Sequence, residues 1–197
     1  DRPKDVRIEQ ASPSRLAELC GSDDHQGAVA EVSDYVYADP AGLLTQPDAF
    51  LVVLDEVQDP RNLGAICRVA AAAGVDGLVI PRHRSAEVTP VVCRASAGAV
   101  EHLAVAKVRN IADFLDDAGK AGIWRHGAAA GADSWTDVDW TGPVALVMGS
   151  EGKGLRPRVA SNCDRLVALP LANGIESLNV ATAASALLYE AVRQRSA

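Results

Sequence analysis

With 197 residues, 48% of them hydrophobic and 23% charged, the chain is long enough for one full core and a smaller appended piece, and too apolar to be disordered. No run approaches the roughly 18 apolar residues a membrane-spanning helix needs, and the charged opening DRPKDVRIEQ has no secretion-signal pattern. Four cysteines (Cys20, Cys67, Cys93, Cys163) lie far apart without a CxxC pair, which argues against a metal site or a disulfide framework and for reduced thiols in a cytoplasmic protein. The net charge of −7 argues mildly against a nucleic-acid partner. However, Arg61, Arg68, Arg82, Arg84 and Arg94, then Lys153, Arg156, Arg158 and Arg165, gather near loops where local phosphate contacts would be made.

In chain order, residues 1–38 read as strand, helix, strand. VRIE alternates, SPSRLAELC has Ser12 or Ser14 as its cap, and GAVAEV alternates again. This is too little for a domain, and it reads as the tail of one. ADPAGLLTQPDA, with two prolines and a glycine, reads as a linker over 39–49. From Phe50 strands and helices alternate. The apolar strand LVVLDEV leads to the helix NLGAICRVAAAAG, then come GLVIP, a helix over Pro90–Gly98 and the strand HLAVAKV. NIADFLDDAGKAG is a helix with Asn110 as cap, ending near Gly119 or Gly122. IWRHGAAA is a weaker strand and PVALVMG a strong one. LRPRVASNC is a short helix, RLVALPL a strand, and LNVATAASALLYEAVRQRSA a long final helix. Fully apolar strands alternating with helices predict an α/β fold with a mainly parallel sheet covered on both faces.

In such sheets ligands bind beyond the carboxyl ends of strands, and three of these ends carry unusual residues. After the first strand, Pro60 and Asn62 make a turn in which Asn62 either caps the helix or serves a site. Arg68 lies in an otherwise apolar helix and must face a partner, solvent or substrate. After PVALVMG, Gly149, Gly152 and Gly154 in GSEGKG permit close backbone approach to a ligand, or simply a tight turn. The spacing is not that of a phosphate-binding P-loop, a dinucleotide GxGxxG or a nucleophile elbow. After RLVALPL, Ser177 and Asn179 open the last helix, Ser177 as a cap or as a site residue.

Together these segments resemble the SpoU family of RNA ribose methyltransferases, in the trefoil-knotted SPOUT class, over about residues 50–197. The residues that carry the likeness are Asn62, Gly64 and Arg68, then Met148 through Leu155, then Pro170 through Ser177, Leu178, Asn179 and Val180 to Glu190. The resemblance implies a C-terminal knot whose loops hold S-adenosylmethionine at Gly149, Leu169 and Leu178, with Met148 and Leu171 beside them. It places Asn62, Arg68, Glu151, Ser177 and Asn179 around the reacting centre, with Arg68 as proton acceptor or as a phosphate and alkoxide clamp. It also implies a homodimer whose sites use both subunits. The last helix, with Leu187, Leu188 and Tyr189, serves that interface or the chain's own core. Many members that act on ribosomal RNA carry a small N-terminal α+β domain resembling a ribosomal protein. Residues 1–38 look like its end, so rRNA is favoured over tRNA as the RNA partner, with a guanosine of 23S rRNA as target. The rival readings are a tRNA ribose methyltransferase and a non-catalytic RNA-binding or ribosome-assembly factor.

Overall fold

The computed structural model describes residues 6–196. They fall into two units that divide between Asp34 and Tyr35, earlier than the boundary expected after residue 38. In the first unit, α1 (Pro13–Cys20) is capped by Ser12, whose Oγ accepts the Arg15 N–H at 3.3 Å, and it ends at Gly21 in the left-handed region. The strands expected at 6–9 and 27–32 do not form. An isolated extended segment has no ladder to satisfy its backbone, and Val6, Ile8 and Val32 stay exposed there.

The second unit starts with Tyr35 and Tyr37, whose rings pack against the core. The expected linker is in fact part of this unit. It contains the short helix α2 (Pro40–Leu43), capped by Asp39, and buries Leu43 against Gly77, where a side chain would lie 2.6 Å from the Leu43 Cδ2. Six strands follow: β1 (Phe50–Asp55), β2 (Gly77–Pro81), β3 (Ala104–Val108), β4 (Trp124–Ser134), β5 (Val144–Gly149) and β6 (Arg165–Ala168). All pair in parallel, in the order β3-β2-β1-β5-β4-β6. The segment read as the weaker strand, β4, is the longest. It loses register with β6 between Ala128 and Asp133.

After α2 the helices of this unit are α3 (Pro60–Ala72), α4 (Pro90–Ala95), α5 (Ile111–Lys120), α6 (Pro157–Ala160) and α7 (Val180–Arg195), with a short 3-10 helix at Ala99–His102. Phe50, Val52 and Leu54 of β1 join one apolar cluster with α3 and α7; Leu51 and Val53 join another with α5 and Val159 of α6. Burial on both faces explains the unbroken apolar strands. Two predicted helix starts are displaced. Asp59, not Asn62, caps α3, accepting the Arg61 N–H at 2.8 Å ahead of Pro60. Asn179, not Ser177, caps α7, accepting from the Ala181 and Thr182 N–H groups at 2.9 and 3.3 Å. Within α7, Leu187 and Leu188 are buried in the chain's own core, while Tyr189 faces outward. The cysteines are free thiols. Burial pushes Cys67 and Cys163 up to about 12. Among the described residues no helix is long and apolar enough to cross a membrane, and no three His, Cys, Asp or Glu side chains are grouped to hold a metal.

The last turn of α7 clasps the loop before β5. Gln194 Oε1 accepts the Trp140 N–H at 2.9 Å and its Nε2 donates to the Val138 carbonyl at 3.2 Å. Arg195 donates to the carbonyls of Trp140, Gly142 and Asp48. The carboxylate of Glu190 accepts from Arg193 and Gln194, which hold it at about 2, below its ordinary 4.5. A depressed carboxylate stabilises the fold above the unfolded value and loses that contribution as pH falls through the folded one. Glu190→Gln is therefore expected to lower the melting temperature at pH 7, with the gap to the parent closing between pH 4.5 and 2. Thermal melts across that range test it.

Candidate active site

The chain reverses its direction across the sheet between β1 and β5, which lie side by side with Asp55 opposite Gly149 at their C-terminal ends. This is the switch point where open α/β sheets place ligands. Beyond β5 the Gly-rich segment closes on itself. Ser150 N–H donates to the Gly154 carbonyl at 3.2 Å, and Gly154 N–H returns a bond to Ser150 at 2.9 Å. Gly152 and Gly154 take φ of 79° and 66°, which glycine adopts without strain. A side chain on Gly149 would run into the Gly154 carbonyl group and the Leu155 nitrogen.

Behind this turn Arg156 anchors it to β1. Its guanidinium meets the buried Asp55 carboxylate through Nε at 2.8 Å and Nη2 at 2.6 Å, and its backbone N–H donates to the other oxygen at 2.9 Å. Glu56 Oε1 lacks a hydrogen bond among the described residues, but it sits 3.4 Å from Arg156 and 3.5 Å from Arg84. Arg84, Arg156 and Arg158, expected to face phosphate, thus pair with Glu56, Asp55 and Asp113, while Arg165 lies 3.5 Å from Asp133 with its side chain exposed. Arg61, Arg68, Arg82, Arg94 and Lys153 are exposed and have no ion-pair partner among the described residues.

Three of the predicted site residues converge from distant parts of the chain. Glu151 Oε1 accepts Asn62 Nδ2 at 3.1 Å, Asn179 Nδ2 at 2.6 Å and the Val180 N–H at 3.3 Å. Asn179 Nδ2 also donates to Asn62 Oδ1 at 2.9 Å. Helix α3, the Gly-rich turn and the cap of α7 are thereby tied together through side chains of residues 62, 151 and 179. Beside this knot of bonds lies a cleft of about 600 Å³, within the roughly 300–1,000 Å³ of small-molecule sites. Met148, Gly149, Glu151, Leu169, Leu171, Ser177 and Leu178 all line it. Arg68 does not: it is exposed on α3, outside the lining. The sequence reading missed Ala128–Ala130 of β4, which form part of the cleft wall. It also missed the Asp55–Arg156 anchor, whose signal was a charge ending a fully apolar strand.

The cleft suits S-adenosylmethionine. Apolar walls from Met148, Leu169 and Leu178 fit an adenine ring, and the missing side chain at Gly149 leaves the turn's backbone able to approach a ligand. The fold and the cleft define an α/β protein that holds a small cofactor at the switch point of a parallel sheet. The model of the SpoU rRNA Methylase family matches residues 49–189. The TrmH family tRNA/rRNA methyltransferase YacO of Bacillus subtilis is 41% identical over 192 residues, which are 94% of this chain and 77% of that protein. A tRNA/rRNA methyltransferase of Mycobacterium avium is 43% identical, covering 96% of this chain and 63% of its own length. The crystal structure of the SpoU methyltransferase AviRb from Streptomyces viridochromogenes in complex with AdoMet superposes with a TM-score of 0.73 at 34% identity, over 81% of this chain and 65% of that one. The chain thus spans less than two thirds of the M. avium and Streptomyces proteins. It belongs to the SpoU family of RNA methyltransferases, whose methyl donor is S-adenosylmethionine.

Proposed function

We propose that this protein methylates a ribose 2′-hydroxyl in RNA, with a guanosine of 23S rRNA as target. The observation that carries the reading is the meeting of Asn62, Glu151 and Asn179 at the cleft that suits the cofactor. Bound S-adenosylmethionine supplies a methyl carbon on a positively charged sulfur, open to in-line attack by the hydroxyl oxygen. The chain's own work is to hold that oxygen in line, and such positioning is worth about 7–11 kcal/mol. Each carboxamide of the triad is already bonded, so it orients neighbours without reorganising. Ser177 lines the cleft and is exposed, which supports a role for its hydroxyl in contacting the RNA.

Arg68 lies six residues beyond Asn62, about 9 Å along the helix axis, and serves the cleft of a second copy in a homodimer. Its guanidinium, with a pKa above about 12, clamps phosphate and the developing alkoxide better than it removes a proton. The exposed Arg61, Arg82, Arg94 and Lys153 supply further phosphate contacts despite the acidic whole. The C-terminal part of the chain threads through a loop as the family's knot, the first unit belongs to an rRNA-binding domain, and the protein works in the cytoplasm.

The test is transfer of labelled methyl to 23S rRNA and to tRNA transcripts, followed by alkaline hydrolysis. Alkali-resistant dinucleotides from rRNA support the reading. Resistant dinucleotides from tRNA alone move the substrate, and label on a base overturns ribose methylation. Calorimetry with S-adenosylmethionine showing no binding would favour a non-catalytic RNA-binding role. Glu151→Ala is expected to lower kcat/KM by about a hundredfold. Because Glu151 is exposed, the stability cost should stay near 1 kcal/mol. Paired kinetics and thermal melts read both.

A further inference from the structure

Under the 137–141 loop, at the start of β4 and β6, lies a second cavity of about 350 Å³ lined by Trp124, His126, Asp137, Asp139, Thr141 and Arg165. Alternation along β4 puts Trp124 and His126 on one face, and the parallel register sets Arg165 beside His126. Trp124 is 57% exposed and the Arg165 side chain 61%. An indole and a guanidinium thus stand open to solvent at its rim. The partner of Arg165 among the described residues is Asp133 at 3.5 Å, long for a charge-assisted bond of about 2.7–2.9 Å.

The floor is His126, 3% exposed, its ring edge-on to the buried Trp140 at 4.8 Å between centroids. Nε2 donates to the Asp139 carbonyl at 3.0 Å, and Nδ1 has no partner among the described residues. Burial pushes the imidazole down and keeps it neutral. On the loop side, Asp139 Oδ1 accepts the Thr141 N–H and hydroxyl at 2.8 and 2.6 Å, while Oδ2 makes no bond among the described residues.

The opening therefore offers an aromatic face, one guanidinium and two carboxylates. A bare phosphate is repelled by the carboxylates, and an apolar ligand would bury charges without partners. Guanine presents two donors, N1–H and N2–H, on one edge and two acceptors, O6 and N7, on the other. A carboxylate matches the first edge, an arginine the second, and an indole stacks on the ring. We propose that this cavity binds an unstacked guanine base. Trp124 stands four residues before Ala128 of the methyl-transfer cleft, about 13 Å along the strand. In RNA, a guanine held here belongs to a nucleotide flanking the methylated ribose. That part rests on the RNA-methyltransferase reading, whereas binding of a free guanine nucleotide does not.

The experiment follows tryptophan fluorescence during titration with GMP, CMP, ribose 5-phosphate and a guanine-containing RNA hexanucleotide. GMP is expected to quench, while CMP and ribose 5-phosphate leave the signal within a few per cent. Trp124→Leu is expected to remove the quench, and Arg165→Ala or the double change Asp137→Asn/Asp139→Asn to raise the Kd at least tenfold, in variants whose melts match the parent. Quenching by the hexanucleotide that GMP displaces assigns the guanine to RNA, and quenching by GMP alone assigns it to a free nucleotide; both support the pocket. No Trp124-dependent quench with either, or an unchanged Kd in Arg165→Ala, overturns it. Because the GMP arm involves no methyl transfer, its failure leaves the proposed activity standing. If RNA is the source, Trp124→Leu should raise KM for RNA at least tenfold and leave kcat within twofold.

Discussion

Gly149→Ala is expected to weaken S-adenosylmethionine binding at least a hundredfold, to the point that calorimetry detects none. The added methyl would meet the Gly154 carbonyl carbon and oxygen and the Leu155 nitrogen, all of them backbone. A flexible neighbour could move aside, but a backbone held by reciprocal Ser150–Gly154 bonds cannot move without opening the turn. Gly149 ends a strand buried along its whole length, so the strand is not free to shift either. The strain therefore falls on the cleft wall, where overpacking costs about 1–3 kcal/mol and often more. A Gly149→Ala protein that folds and binds the cofactor as the parent does would show that the turn opens in solution. Circular dichroism beside the titration separates loss of the site from loss of the fold.

The second large effect is expected at Arg156. Arg156→Met removes two guanidinium bonds from a carboxylate that is fully buried, and leaves one backbone N–H to hold the charge. Breaking such a pair from one side costs about 3–5 kcal/mol, because the opposite charge is left buried without its counter-ion. With the backbone bond retained, about 3 kcal/mol is expected, read from urea unfolding. Asp55→Asn in the same protein should restore a good part of it, since the stranded charge is then gone. A loss below about 1 kcal/mol would mean that the pair behaves as an exposed one. The same change should weaken cofactor binding, because Arg156 tethers the Gly-rich turn to β1.

Much of this architecture was legible in the residues. LVVLD, GLVIP and PVALVMG announced strands buried on both faces, and each proved to be one. IWRHGAAA is a strand as read, but longer than its weak pattern suggested: His126 and Arg125 interrupt the apolar run, yet each finds a partner, the Asp139 carbonyl for one and Asp164 for the other. The flanking strands expected in the first unit do not form, because alternation alone supplies no ladder. At the site, Asn62, Glu151 and Asn179 could be named from three short motifs, but their mutual bonds depend on sheet order, which periodicity does not encode. Helix starts were misplaced wherever a cap competed with a neighbour of similar chemistry, as Asp59 did with Asn62. Arg156 was misread because a cation near a glycine turn gives no sign of a buried carboxylate 101 residues away.

The clasp formed by Gln194 and Arg195 also bears on the order in which the protein can be completed during synthesis. The carbonyls it serves, at Asp48, Val138, Trp140 and Gly142, are translated before the side chains that satisfy them. Until those side chains leave the ribosome, the loop before β5 has water where it will later have donors. A nascent chain is thus committed late, and a cut or early stop ahead of Glu190 strips donors from carbonyls at several places at once. These carbonyls are part-buried or exposed, so water replaces the missing donors in part, and each loss costs less than the ~1–3 kcal/mol of a fully buried bare acceptor. A fragment of that kind would have the residues of its sheet and most of its cleft, but the loop before β5 would be left open to water.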